Sequence, residues 1–254
     1  MKYLAKKILS FILKIVKKVV LIYNNNISLK PIKIIHSHSL DVYDMYFKDE
    51  KEKCYNEFKK YFKQATFIKS SEIQKYAIKK SLKNNNDPNL LYLEFGVWKG
   101  ESINLLSKYT KKIYGFDSFE GLKDDWHGFS GIAKESFSLN KKLPKVNHNV
   151  ELIPGWIEET LEKFINEKKS SINFVNMDVD TYKTCKFILQ KIRPLLVKDS
   201  IIIFDELYNF PGWDVGEYKA LKEVFNEDEY KFLAFSNDGL QAVIQILKNS
   251  QKFS

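Results

Sequence analysis

Cysteine is nearly missing from this chain of 254 residues, where only Cys54 and Cys185 occur. Two thiols cannot build a disulfide framework, and such sparse use fits a reducing compartment. Glycine and proline are also few, at ten and six residues, which excludes a collagen-like or low-complexity chain. What remains is 44% hydrophobic and 29% charged residues, a balance that suits one α/β domain with a substantial core and an appendage.

Acidic residues are absent from positions 1–40, which hold the eight lysines Lys2, Lys6, Lys7, Lys14, Lys17, Lys18, Lys30 and Lys33. They account for eight of the nine excess charges behind the net +9, so the remainder carries only +1. A near-neutral body argues against a broad basic nucleic-acid surface.

The opening MKYLAKKILSFILKIVKKVVLIY lacks the uninterrupted apolar run of about 20 residues that spans a bilayer. Lys14, Lys17 and Lys18 break it, and no small-residue cleavage site follows. At about 100° per residue, Leu4, Ile8, Phe11, Ile12, Ile15, Val16 and Val19 share one face. Lys6, Lys7, Lys14, Lys17 and Lys18 fall opposite. Such a basic amphipathic helix either lies on an anionic membrane surface or packs its apolar face on the domain or a second subunit.

Three segments follow from these patterns: a basic arm over 1–40, a helical cap over 41–89, and a domain of alternating strands and helices over 90–254. The turn-forming NNNDPN at 84–89 marks the last boundary. Candidate strands are 90–95, 112–117, 150–154, 172–178 and 200–205. A strand pair follows around NDG at 237–239. Candidate helices lie near 101–109, 157–168, 181–196 and 215–226. Helices between strands predict a mostly parallel sheet covered on both faces. The 118–149 connection is long for a compact domain and reads as a functional loop.

In such sheets ligands bind beyond the carboxyl ends of the strands. Four of the five strands end in or just before an acid: Glu94, Asp117, Asp178 and Asp205. Capping explains any one of them; four at one edge point to a ligand. LEFGVWKGES also puts Gly96 and Gly100 in the first strand-to-helix turn, where glycine lets a backbone approach a ligand. Their G-x-x-x-G spacing is not the dinucleotide G-x-G-x-x-G. Asp117 ends the next strand, where a carboxylate can accept ribose hydroxyls.

With LEFGVWKGESI, YGFDSFEGL, DVDTYKT, and IIIFDE followed by FPGW, the chain resembles the class I S-adenosylmethionine-dependent methyltransferases. More narrowly, over about residues 90 to 247, it is similar to the macrocin O-methyltransferase-like group. The resemblance implies a Rossmann-like sheet of seven strands, mostly parallel with the last antiparallel, plus an N-terminal helical extension. It also implies an activity on a sugar hydroxyl, on a nucleotide-linked or surface-glycan sugar. Gly96 and Gly100 would pass under the methionine part of S-adenosylmethionine, with Glu94, Phe95 and Ser102 nearby. Asp117 would hold the ribose, Ser118 and Trp156 would flank the adenine, and Asp178 would touch the cofactor.

Asp178, Asp205 and Glu206 end adjacent strands and can converge on one hard cation. Magnesium accepts a few carboxylates and keeps several waters. The alternative is that Asp178 contacts the cofactor and Asp205 caps a loop. Asp180, just before Thr181, reads as a helix cap. A sugar hydroxyl is a poor nucleophile until its proton leaves, so a base or a metal is needed. Asp178 can serve as that base, and His127 in DDWHGF is the separate candidate because histidine titrates near neutral pH. His36 and His38 sit in the arm without partner motifs, and His148 reads as surface. Tyr208, Phe210 and Trp213, after the fifth strand, either stack on a sugar or pack as a hydrophobic loop.

Two other readings compete: a small-molecule hydroxylase on the same fold, or a membrane-associated scaffold that binds no cofactor. A cytoplasmic homo-oligomer is expected, with any membrane contact made at the inner face through residues 1–22. If the arm lies on membranes, removing residues 1–24 abolishes co-sedimentation with anionic vesicles; equal sedimentation of both forms refutes the membrane placement.

Overall fold

A computed structural model describes residues 42–85, 87–123 and 134–249. The basic arm and His127 lie outside the described residues. The sheet is built from runs whose side chains are buried on both sides, as parallel strands under helices require. In β2 (Leu91–Phe95) and β5 (Ile172–Met177) every residue is buried. Flanking them are β3 (Ile113–Asp117), β4 (Val150–Pro154) and β6 (Leu196–Phe204).

Two further strands, β7 (Tyr230–Ser236) and β8 (Ala242–Ile246), form the hairpin expected around NDG. β8 slots between β6 and β7 and runs antiparallel to both. The seven expected strands are therefore present, with the last one antiparallel.

An eighth strand, β1 (Thr66–Ile68), pairs parallel with β7, giving the order β1-β7-β8-β6-β5-β2-β3-β4. This strand was not foreseen in the segment expected to be a helical cap over 41–89. Three residues carry no readable period, and the partner of Thr66 is Ala234, far along the chain. Helix α1 (Val42–Phe62) precedes β1, and α2 (Ser70–Asn84) follows it.

The other helices are α3 (Glu101–Ser107), α4 (Ile157–Lys168), α5 (Tyr182–Ile192) and α6 (Glu217–Val224). Two apolar layers cover the sheet. One joins Ile73, Ala77 and Ile78 of α2 to Ile103 and Leu106 of α3. The other joins Phe58 of α1 to α4, α5 and α6 through Leu161, Phe164, Ile188 and Leu221. The described residues from Tyr43 onward accordingly cluster as one unit, which takes in α1 from Tyr43, β1 and α2.

Phe58 is fully buried. Its ring meets those of Tyr208, Trp213, Tyr218, Phe232 and Phe235 at 4.8–5.8 Å between centroids. Tyr208, Phe210 and Trp213 are thus core residues, at 4–6% exposure, and the loop after β6 packs rather than offering rings to a ligand. Aromatic packing of this kind gains beyond its buried area. Phe58→Ala should cost about 3–5 kcal/mol, read as a lower urea midpoint at unchanged slope.

Candidate active site

The parallel ladder runs one residue past the strands, and that extra rung fixes the site. Gly96 N–H donates to the Phe116 carbonyl at 2.9 Å, Asp178 N–H to Phe95 at 2.9 Å, and Asp205 N–H to Met177 at 3.0 Å. The residues just beyond β2, β5 and β6 are therefore held as firmly as strand residues. Gly96 has φ 86°, and a Cβ there would sit 1.6 Å from the Asp178 carbonyl oxygen. Only glycine lets β2 turn beside β5.

Asp117 closes β3 and organises the turn above β2. Its Oδ2 accepts the amides of Val97 at 2.8 Å and Trp98 at 2.7 Å; its Oδ1 accepts that of Phe119 at 2.6 Å. Trp98 and Phe119 both have left-handed backbones, at φ 44° and 58°, which non-glycine residues rarely adopt. The carboxylate offsets that strain with charge-assisted bonds.

A cavity of about 270 Å3 opens over these turns. Gly96, Asp117, Ser118 and Trp156 line it, together with Asp178, Asp180, Asp205 and Glu206. A second cavity, of about 420 Å3, is lined by Ser70, Ser71 and Gln74 of α2 and by Ser102 of α3. Trp98, Asp178 and Asp205 border both. The two spaces thus meet where the acids converge.

Asp178, Asp205 and Glu206 each present an oxygen within 4.8 Å of the others, the set expected from the sequence. Burial, then Asp205 and Asp180, push the Asp178 carboxyl well above the usual carboxylate range. Burial and the same neighbourhood raise Glu206, whose Oε2 is buried without a hydrogen-bond partner. Gln241 donates to Asp205 Oδ1 at 3.0 Å. An all-oxygen set of mutually repelling carboxylates fits a hard divalent cation.

Several expectations need correction. Phe95 makes no side-chain contact with either cavity: its ring stacks on Phe116 in the core at 4.9 Å, and only its carbonyl reaches Asp178. Glu94 is fully buried beneath the turn and lines neither cavity. It accepts Ser102 Oγ–H at 2.6 Å, so it braces the residue that faces the ligand space. Gly100, at φ 81°, closes the turn into α3 through its N–H to Val97 at 2.8 Å. Asp180 is more than a cap. It lines the first cavity, and burial with Asp205 lifts it to about 7. His148 is exposed, as expected.

Sequence reasoning missed the cavity residues Trp98, Lys123, Phe137, Glu158 and Thr184. Lys123 bonds Glu158 at 2.7 Å and lies 4.9 Å from the Trp156 ring centre. Phe137 meets Trp98 edge-on at 5.6 Å. The only signal for them was proximity to the motifs.

Burial lifts Glu94 from 4.5 to about 8, against the lowering effect of Ser102. A folded-state value above the unfolded one means stability is lost as pH rises through that window. Glu94→Gln should therefore gain melting temperature on the wild type between pH 4.5 and about 8. Parallel curves would show that Glu94 stays ionised.

Residues 93–207 match the family model of a methyltransferase domain. No curated protein matches the chain. Among solved structures, that of CalS11, a calicheamicin methyltransferase, is 20% identical, covers 82% of this chain and 94% of that one, and has a TM-score of 0.56. An apo structure of CalS11, described as TDP-rhamnose 3'-O-methyltransferase, is 20% identical, with coverages of 82% and 96% and a TM-score of 0.50. Likeness at this identity is a likeness of fold. Residues 93–207 are thus similar to a methyltransferase domain, and the fold resembles that of CalS11.

Proposed function

We infer that the protein is an S-adenosylmethionine-dependent O-methyltransferase of the macrocin O-methyltransferase-like kind, acting on the hydroxyl of a nucleotide-linked or surface-glycan sugar. One observation carries this reading: two cavities meet at Asp178 and Asp205, within a cluster of carboxylates. The sugar rests on the similar CalS11, described as acting on TDP-rhamnose.

Asp117, Ser118 and Trp156 in the first cavity suit the nucleoside end of the cofactor. Ser102 and the start of α2, in the second, suit its polar methionine end. Asp117 keeps one of about four carboxylate lone pairs after its three amides. A ribose hydroxyl can take that position. The cofactor supplies a methyl group on a sulfonium centre.

Asp178, Asp205 and Glu206 would hold a divalent cation such as Mg2+, whose contribution is to acidify and align a hydroxyl. Asp178 borders both cavities, so it is placed to take the hydroxyl proton. Placement in the cleft would hold the reacting groups in register.

Incubation with S-adenosylmethionine and a panel of nucleotide sugars should yield one product heavier by a single methyl group in mass spectrometry. Asp178→Asn should lose turnover by at least about a hundredfold while the fold and S-adenosylhomocysteine binding persist. Full activity of that variant would remove Asp178 from the chemistry.

A further inference from the structure

Glu217 opens α6, where an acid ordinarily sits in water and gains modestly from the helix dipole. Here it is only 1% exposed. Its Oε2 accepts the backbone N–H of Glu206 at 3.2 Å, and the Val179 amide is also directed at the carboxylate. Its Oε1 is buried without a hydrogen-bond partner. Val179 lies between Asp178 and Asp180 beyond β5; Glu206 follows Asp205 beyond β6. One carboxylate therefore reaches both chain segments that carry the clustered acids.

That placement is costly. Burying a carboxylate is unfavourable unless it is paired, and the charges nearest in effect to Glu217 are those of Asp205 and Asp180. A glutamine could accept the Glu206 amide equally well, so the hydrogen bond alone does not require a charge. A cation held by the neighbouring acids would require both the fixed spacing and the added negative charge. Such outer carboxylates orient the ligands that touch an ion.

We propose that Glu217 is a positioning residue for a divalent cation held by Asp178, Asp205 and Glu206, tying the exits of β5 and β6 together and completing the charge around the ion. The proposal rests on the cation reading above.

The test uses the full chain with Mn2+ as the probe, bound ion being followed by electron paramagnetic resonance and S-adenosylhomocysteine binding by calorimetry. Glu217→Gln, which keeps the hydrogen bond and removes the charge, should weaken Mn2+ binding about tenfold, and Glu217→Ala up to about a hundredfold. S-adenosylhomocysteine affinity should stay unchanged in the glutamine variant, which carries the test if the alanine variant does not fold. Unaltered Mn2+ affinity in the glutamine variant overturns the role of Glu217 alone. A parallel loss of S-adenosylhomocysteine affinity there makes the residue structural and overturns it as well. Wild-type protein that binds no Mn2+ removes the cation reading, and this proposal with it.

Discussion

Repulsion among buried and half-buried acids is the constraint around which the structure is organised. Asp178, Asp180, Asp205, Glu206 and Glu217 gather at the exits of two adjacent strands, and burial raises the proton affinity of Asp178, Asp180, Glu206 and Glu217. A flexible loop would relieve the crowding by swinging its carboxylates into water. The sheet prevents this, because the ladder continues through the amides of Asp178 and Asp205. The inner strands contribute the stiffness, each flanked by partners and covered by helices on both faces.

The same logic explains why the loop after β6 is apolar. Tyr208 and Trp213 pack on Phe58 and Phe210 is buried in the same core, and so they clamp the chain between Glu206 and Glu217. Aromatic packing on one side thus offsets electrostatic strain on the other. The helix α1, which lies outside the matched domain of residues 93–207, takes part in that clamp through Phe58.

Much of this was legible in the sequence. Short apolar runs closed by acids indicated the direction of the sheet and the side on which the two cavities open. The clustering of Asp178, Asp205 and Glu206 was readable because strand ends of adjacent strands must lie together. β1 was not readable, since three residues show no period and pair with a strand met much later in the chain. Nor was the depth of Glu217: an acid at a helix start looks the same in sequence whether it faces water or a cluster of charges. Asp180 was assigned to the helix for that reason. Phe95 was misplaced because adjacency to Glu94 and Gly96 says nothing about which face of the strand its ring takes.

Asp117 has a consequence for recognition. Its carboxylate already fastens the turn above β2 and the turn after β3 through three amides, before any ligand is considered. The wall of the first cavity is therefore set during folding, and a ligand need not order it on arrival. Less conformational freedom is left to lose on binding, so affinity there depends on fit rather than on the ordering of loops.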